Sequence, residues 1–251
     1  MANKKTIKTL QVVIPVYNEE AALEQSVEKL RGFLAEYLGR YSWKIVIANN
    51  ASTDSTLEIA KRLSKRYKDV TYLHLDQKGR GRALRKAWTE TTSDIVSYMD
   101  VDLSTDLEAF SVMIDALAFR GYDVATGSRL MSGSRTKRGI KREILSRGYN
   151  LIVRTILGTR ITDVQCGFKA ATNKAARELA PLIKDNKWFF DTELLIVAER
   201  KGYRIFETPV TWDESLHSTV RIFRTVYDYL CDVSRLRYEM WFDKEKYKKV
   251  K

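Results

Sequence analysis

The chain has 251 residues, and 44% of them are hydrophobic, which is enough for one sizeable α/β domain with its own core and excludes a disordered chain. Its 44 basic and 32 acidic residues give a formal net charge of +12. This charge favours anionic partners such as phosphates, nucleic acid or an acidic membrane surface. No stretch reaches the roughly 18 uninterrupted apolar residues of a membrane span, so membrane contact is expected to be peripheral.

The two cysteines, Cys166 and Cys231, are too few and too far apart in sequence for a disulfide framework or a thiolate metal cage. This cysteine usage fits a reducing cytosol. The apolar run at residues 12–16 is too short for the apolar region of a signal peptide. We therefore expect a cytoplasmic protein.

The predicted elements alternate between short β-rich runs and longer segments with helical periodicity. In chain order, the first five β-rich runs are residues 12–16, 45–48, 70–75, 95–99 and 122–126. Apolar residues at helical spacing follow the first two runs, at Leu23, Val27, Leu30 and Leu34 and again at Leu57, Ala60, Leu63 and Tyr67. This alternation predicts an α/β fold with a Rossmann-like, mainly parallel sheet and helices packed on it. After residue 126 the pattern predicts a basic loop, further helices, a strand at 205–210 and a C-terminal helical region.

Two carboxylates, Asp100 and Asp102, follow the fourth β-rich run. Ligands of open α/β sheets bind beyond the carboxyl ends of the strands, and strand side chains two residues apart point to the same side. The pair can therefore hold Mg²⁺ or Mn²⁺ and leave coordination sites open for substrate phosphates. A lone D-x-D also occurs in turns and helix caps, but the position after an apolar strand favours a metal site.

Two basic segments suit anionic ligands. Residues 78–82 (KGRGR) combine permissive glycines with cations just before a helical segment, which suits a close approach to a pyrophosphate. The stretch 129–160 holds nine basic residues and one acidic residue. A helix at 141–157 would place four apolar residues on one face, with Arg147 and Arg154 opposite: Leu145, Tyr149, Ile152 and Ile156. That face either packs on the domain or lies at a membrane interface.

Several ordered motifs resemble those of one enzyme family. Residues 12–20 (VVIPVYNEE) and 45–54 (IVIANNASTD) resemble the opening motifs of the inverting family-2 glycosyltransferases, which have the GT-A fold. Four later segments resemble the dolichyl-phosphate β-glucosyltransferases and their polyprenyl-phosphate relatives: 127–129 (GSR), 163–169 (DVQCGFK), 190–195 (FDTELL) and 207–212 (ETPVTW). The resemblance spans about residues 11–220. It implies a metal-dependent, inverting transfer of a hexose from a nucleotide sugar, with UDP-glucose the expected donor, to a dolichyl or other polyprenyl phosphate.

The resemblance also implies roles for individual residues. It assigns nucleotide-sugar binding to Pro15, Tyr17, Glu19, Asn50, Lys78, Gly79, Asp100 and Asp102. It assigns a Mg²⁺ or Mn²⁺ ion to Asp100, Asp102 and Ser104, and the acceptor phosphate to Arg129, Arg142 and Arg221. It assigns the sugar or acceptor pocket to Asp163, Gln165, Lys169, Asp191 and Glu193, although Asp191 and Glu193 could equally serve only a helix dipole. The expected catalytic residues are Asp102, Arg129 and Arg142.

One motif departs from the family pattern. Relatives usually have Asp-Asp-Gly-Ser where residues 49–52 of this chain read Asn-Asn-Ala-Ser. Asn50 can still accept a hydrogen bond from uracil N3–H and donate one to a uracil carbonyl, so uridine is compatible with this chain. The donor nevertheless stays open, and mannose or N-acetylglucosamine are alternative sugars.

The resemblance predicts a single catalytic domain over residues 1–251, with a nucleotide-sugar half at about 11–126, an acceptor half at about 127–220 and a basic helical tail beyond. It places the protein at the cytoplasmic face of a membrane, in peripheral contact with anionic lipid, with a membrane protein as a candidate partner. A non-lipid acceptor is the first alternative.

Two other protein classes fit the sequence less well. A nucleic-acid-binding module would explain the positive charge but would not need Asp100 and Asp102, so no nucleic-acid partner is expected. A nicotinamide-dependent enzyme is disfavoured because no G-x-G-x-x-G follows the first strand.

Overall fold

The computed structural model describes residues 8–213, 222–243 and 246–249, with the backbone alone for 222–226. Its strands are β1 (Thr9–Val16), β2 (Ser42–Asn50), β3 (Val70–Leu75), β4 (Ile95–Met99), β5 (Val124–Ser128), β6 (Arg135–Lys137), β7 (Phe168–Thr172), β8 (Ile205–Pro209) and β9 (Thr211–Asp213). Its α-helices are α1 (Leu23–Tyr37), α2 (Thr56–Arg66), α3 (Arg80–Thr89), α4 (Glu108–Phe119), α5 (Ile140–Leu157), α6 (Asn173–Leu179), α7 (Phe190–Arg200) and α8 (Ile222–Phe242).

Seven strands form one sheet in the order β3-β2-β1-β4-β7-β5-β8, and β6 pairs with β9 in a small separate ladder. Every neighbouring pair in the large sheet is parallel except those made by β7. The predicted α/β fold with a mainly parallel sheet is confirmed. The fifth predicted strand was placed slightly too early, since β5 begins at Val124 and not at residue 122.

Strand β7, which the sequence patterns did not predict, runs antiparallel between β4 and β5. Phe168, its first residue, pairs with Met99, the last residue of β4. An antiparallel strand begins at the edge where its parallel neighbours end. The residues just before Phe168 therefore meet those that follow β4 and β5, which brings the 163–169 motif to the carboxyl edge of the sheet.

Apolar side chains cover both faces of the sheet. Helices α1, α2 and α4 pack on one face, and α3, α5, α6, α7 and α8 contribute to the core on the other. Leu23, Val27, Leu30 and Leu34 are all buried, which confirms that the apolar face of α1 lies on the sheet. Burial on both faces explains why the central strands are almost continuously apolar.

Helix α5 confirms the predicted helix at 141–157, but its predicted apolar face does not pack in the core. Its buried residues are Asn150, Val153 and Leu157. The buried polar side chain of Asn150 has hydrogen-bond partners, since it donates to Ser146 O and accepts from Val164 N. Of the predicted face, Tyr149 is partly buried, whereas Leu145, Ile152 and Ile156 are exposed.

Three residues that are not glycine have a left-handed backbone at the carboxyl edge of the sheet: Asn18, Ala51 and Leu103, with φ of 55°, 56° and 48°. They follow β1, β2 and β4 respectively. This backbone region favours glycine, so Ala51 adopts a conformation that is unfavourable for a residue with a Cβ. Such conformations persist where the surrounding structure enforces them, often beside functional sites.

Candidate active site

A cavity of about 250 Å³ opens at the carboxyl edge of β4 and β5. Seven residues with predicted site roles line it: Asp100, Asp102, Ser104, Arg129, Arg142, Gln165 and Asp191. Six further residues complete its wall: Arg80, Thr105, Gly167, Trp188, Trp212 and Tyr229. The cavity therefore brings the carboxylate pair and two of the expected phosphate-binding arginines together.

The two carboxylates of the pair are held differently. Asp100 is half-buried, and its Oδ1 accepts a hydrogen bond of 2.9 Å from Arg80 Nη2. Asp102 is exposed, and its Oδ1 accepts from Ser104 Oγ at 2.6 Å and from Ser104 N at 3.1 Å. Carboxylate and hydroxyl oxygens are hard ligands of the kind that Mg²⁺ and Mn²⁺ prefer, so this donor set fits either ion.

Arg80 joins the cavity to a buried acid. Its Nη1 donates to Asp191 Oδ2 at 2.8 Å, while Lys169 Nζ lies 3.2 Å from Asp191 Oδ1 in an ion pair without a hydrogen bond. Burial raises the pKa of Asp191, and Arg80 opposes that rise. Burial lowers the pKa of Lys169, because it disfavours the charged form of the amine. Lys169 is fully enclosed and donates to Cys166 O, so it lies beneath the predicted pocket and does not line it.

Arg129 is fixed by a bidentate pair with Asp163. Arg129 Nε donates to Oδ2 at 2.7 Å and Nη2 donates to Oδ1 at 3.1 Å. Burial alone would raise the pKa of Asp163, but Arg129 outweighs it and lowers that pKa to about 2. Asp163 is fully buried, so it orients Arg129 from behind and does not line the pocket as predicted.

Glu193 is not a pocket residue, contrary to its predicted role. Its carboxylate is fully buried, pairs with Arg235 of α8 at 3.1 Å and accepts from Asp185 N at 3.0 Å. Residues two apart on a helix do not share a face, so α7 directs Asp191 towards the cavity and Glu193 towards α8. Glu193 therefore anchors α8 to α7.

Six of the eight residues predicted for nucleotide-sugar binding do not line the cavity: Pro15, Tyr17, Glu19, Asn50, Lys78 and Gly79. Lys78 Nζ lies 3.4 Å from the centre of the Tyr17 ring, a cation–π contact. Asn50 Oδ1 accepts from Gly79 N at 2.5 Å, so it links the end of β2 to the start of α3. Burial and the nearby carboxylates, Asp102 foremost, raise the pKa of Glu19. These residues thus form a second patch that adjoins the carboxylate pair.

The glycines of the KGRGR segment pack closely against a neighbouring loop. A Cβ at Gly79 would lie 2.6 Å from Asn186 O, and one at Gly81 would lie 2.8 Å from Asp185 O. Gly81 N already donates to Lys187 O at 3.0 Å. Because Gly79 and Gly81 have no side chain, the loop 184–189 can pack closely against them. Carbonyl groups of this loop accept hydrogen bonds from backbone amides at the start of α3.

Six cavity residues were absent from the predicted site: Arg80, Thr105, Gly167, Trp188, Trp212 and Tyr229. The Arg80 guanidinium lies 5.0 Å from the Trp188 ring, and the Arg129 guanidinium lies 5.7 Å from the Trp212 ring. The glycine on each side of Arg80 was a usable signal, because it marks a close backbone approach. Trp188 and Tyr229 reach the cavity only through tertiary packing.

Arg142, near the start of α5, lines the cavity, and its predicted contact with the acceptor phosphate stays a prediction. Arg221 lies outside the described residues, so its predicted contact with phosphate stays a prediction. Within the described ranges, no helix has both the length and the apolar character needed to cross a bilayer.

An α/β sheet whose carboxyl edge presents a carboxylate pair beside clustered arginines is the arrangement of an enzyme that handles phosphorylated substrates. The family model Glycosyl transferase family 2 matches residues 11–180. The chain belongs to this family.

Curated relatives agree with the family. The Haloferax volcanii glycosyltransferase AglD is 36% identical over 218 residues, which are 86% of this chain and 35% of that protein. The Saccharomyces cerevisiae dolichyl-phosphate β-glucosyltransferase is 31% identical over 225 residues, which are 82% of this chain and 67% of that protein. The chain thus spans about a third of the first relative and about two thirds of the second.

Solved structures confirm the fold. Glucosyl-3-phosphoglycerate synthase from Mycobacterium tuberculosis in complex with UDP superimposes with a TM-score of 0.68 at 20% identity, over 92% of this chain and 80% of that one. The same enzyme with Mn²⁺, UDP and glucosyl-3-phosphoglycerate gives a TM-score of 0.62 at 21% identity, over 91% and 76% of the two chains.

Proposed function

We propose that this protein is a glycosyltransferase that moves a hexose from a nucleotide sugar, with UDP-glucose the first donor to test, to a dolichyl or other polyprenyl phosphate, with inversion at the anomeric carbon. The observation that carries the proposal is the single cavity that holds both the Asp100 and Asp102 carboxylates and the Arg129 and Arg142 side chains. The dolichyl-phosphate β-glucosyltransferases among the relatives support the acceptor.

A Mg²⁺ or Mn²⁺ ion fits the donor set of Asp100, Asp102 and Ser104, and when bound it would neutralise charge on the departing diphosphate. The Mn²⁺ and UDP in the M. tuberculosis structure support this choice of ion and donor. The nucleotide-side patch around Tyr17 and Asn50 would hold the nucleoside next to the carboxylates.

The acceptor phosphate would be oriented by Arg129 and Arg142. Its oxygen forms the new bond to the anomeric carbon, while the bond from that carbon to the diphosphate oxygen breaks and the nucleoside diphosphate leaves. A phosphate monoester has a second pKa of about 6, so it is already an anionic nucleophile at neutral pH and needs no strong protein base. The bidentate pair with Asp163 holds Arg129 in a single orientation for this task.

A donor-by-acceptor panel tests the proposal. Purified protein is incubated with labelled UDP-glucose, UDP-N-acetylglucosamine or GDP-mannose, with Mg²⁺ or Mn²⁺, and with a polyprenyl phosphate or a soluble glycan. We expect a labelled lipid product whose anomeric configuration is opposite to that of the donor. The absence of a lipid-linked sugar with every donor would overturn the acceptor, and transfer to the glycan would replace it.

Exposed apolar side chains on α5 and α8 support peripheral contact between the protein and a membrane. Ile140, Ile144 and Leu151 of α5 are 78%, 64% and 65% exposed, and Trp241 and Phe242 of α8 are similarly exposed. The two helices contact each other. Basic side chains lie on the same helix as the exposed apolar ones, namely Lys141, Arg147 and Arg154 on α5. Apolar and cationic groups together match an anionic lipid surface.

Replacing Ile140 and Ile144 together by serine is expected to weaken binding to anionic vesicles by about tenfold or more, because each side chain loses buried apolar area at the interface. Flotation with phosphatidylserine-containing vesicles at increasing salt measures the effect, and the native protein should bind less as salt rises. The matched control is Val112→Ser with Phe119→Ser on α4, which removes exposed apolar groups from the other face of the sheet. Equal losses in the two variants would contradict a surface on α5.

A further inference from the structure

A cluster of charged side chains lies beneath the cavity. Arg80, Asp191 and Lys169 keep only 8%, 5% and 0% of their side-chain surface exposed. Burying charges costs free energy, and replacing a buried ion pair with apolar residues is often neutral or stabilising. Core stability alone therefore does not account for this cluster. Two of its members, Arg80 and Asp191, also line the cavity.

Arg80 is shared between two carboxylates. Its Nη2 and Nε donate to Asp100 Oδ1 at 2.9 and 3.3 Å, and its Nη1 donates to Asp191 Oδ2 at 2.8 Å. Of the two acids, Asp100 is 44% exposed and faces the cavity, whereas Asp191 is almost fully enclosed. Lys169 contacts the other oxygen of Asp191 and holds that carboxylate from behind.

The two carboxylates compete for one cation. An arginine keeps its charge at all working pH values, so its position and not its protonation sets how strongly each acid is neutralised. Charges a few ångströms apart in a partly buried site interact strongly, because the surroundings screen them less than water does. When Arg80 shifts towards either acid, its interaction energy with Asp100 changes. That change is large enough to alter the affinity of Asp100 for a cation by about tenfold or more.

We propose that Asp191 is a positioning residue: it draws the Arg80 guanidinium away from Asp100, and so leaves negative charge on Asp100 for a divalent cation. The inference rests on the proposed metal-dependent function. It changes the role of Asp191 from a pocket ligand to a residue that acts through Arg80. It also gives Arg80 a second partner that keeps its guanidinium at the edge of the cavity.

Two variants with opposite expected effects test the proposal. Asp191→Asn removes the competing charge, so Arg80 pairs fully with Asp100 and the dissociation constant for Mn²⁺ should rise by about tenfold. Arg80→Gln releases Asp100, so Mn²⁺ alone should bind more tightly than to the native protein. Titration of the full chain with MnCl₂ at pH 8, followed by the electron paramagnetic resonance signal of the free ion, measures both constants.

Controls separate this effect from general damage. Asp191→Glu keeps the charge and should hold Mn²⁺ within about threefold of native affinity. Glu193→Gln, also in the first turn of α7 and buried, pairs with α8 and should leave Mn²⁺ affinity unchanged. In transfer assays Asp191→Asn should need more Mn²⁺ for half-maximal rate while approaching the native rate at saturating Mn²⁺.

The outcomes distinguish this proposal from the proposed function. If the native protein does not bind Mn²⁺, the metal-dependent function fails before any variant is considered. If native binding is present but Asp191→Asn and Arg80→Gln change it in the same direction, or not at all, Asp191 has no positioning role. If Asp191→Asn alone does not fold, Asp191→Asn combined with Lys169→Met removes both partners of the buried ion pair and should still weaken Mn²⁺ binding by about tenfold, and unchanged binding in this double variant would overturn the positioning role.

Discussion

Replacing Gly167 by alanine is expected to lower kcat/KM for transfer by about 100-fold or more, while changing the free energy of unfolding by only about 1 kcal/mol. A Cβ at this position would lie 2.9 Å from Asp100 Cγ, closer still to Oδ2, and 3.1 Å from Arg80 Nη2. The Asp100 carboxylate ends a short, half-exposed side chain, so it moves aside more easily than the backbone does. The cost therefore falls on the geometry of the carboxylate pair.

Steady-state transfer kinetics and urea unfolding measure the two effects of Gly167→Ala separately. The matched control is Gly32→Ala in α1, where an added Cβ meets no atom within 4 Å. That variant should gain about 0.5–1 kcal/mol of stability and keep native kinetics, because alanine is the better helix former. Native kcat/KM in Gly167→Ala would show that the position of Asp100 does not limit transfer.

The second large effect is expected at Asp163, which is fully buried against Arg129. Asp163→Asn leaves the arginine charge enclosed without a counter-ion, so the free energy of unfolding should fall by about 3–5 kcal/mol. Transfer should fall as well, because Arg129 loses the bidentate contact that orients it. Urea denaturation at pH 7 and the transfer assay measure the two losses.

A double variant separates stability from function at this pair. Arg129→Met combined with Asp163→Leu removes both charges, so it should recover most of the lost stability but no transfer. On the surface, Glu24→Gln breaks the exposed pair with Arg62 and should cost less than about 1 kcal/mol. If Asp163→Asn lowers the free energy of unfolding no more than Glu24→Gln does, the buried pair of Asp163 and Arg129 does not stabilise the fold.

The strand-end carboxylates were predictable because their signal is local. An apolar run followed by Asp100 and Asp102 indicates both the strand and its carboxyl edge. The 127–129 motif located Arg129, whereas Arg142 lies outside the quoted motifs and was implied by the family resemblance alone. The surroundings of each group were not predictable in this way, because they depend on residues that are distant in sequence. Nothing in the spacing of residues 163–169 indicated an antiparallel strand between β4 and β5, and that strand puts Gly167 against Asp100.

The errors at Asp163, Lys169 and Glu193 share a physical cause. Motif resemblance locates a residue near a site, but whether a charged side chain faces the cavity or a buried partner depends on tertiary packing. Glu193 turns to Arg235, 42 positions away in sequence, and Asp163 turns to Arg129, 34 positions away. Arg80 was missed for the converse reason, because its cavity partners come from three different elements.

Strand β7 has a mechanical consequence. It is paired through five residue positions to β4, which precedes Asp100, and through three to β5, which precedes Arg129. Separating those two strands would break hydrogen bonds on both sides of β7. The sheet therefore holds the carboxylate pair and Arg129 at a constant spacing. A hinge between the two halves of the sheet would therefore cost backbone hydrogen bonds, whereas movement of segments outside the sheet would not.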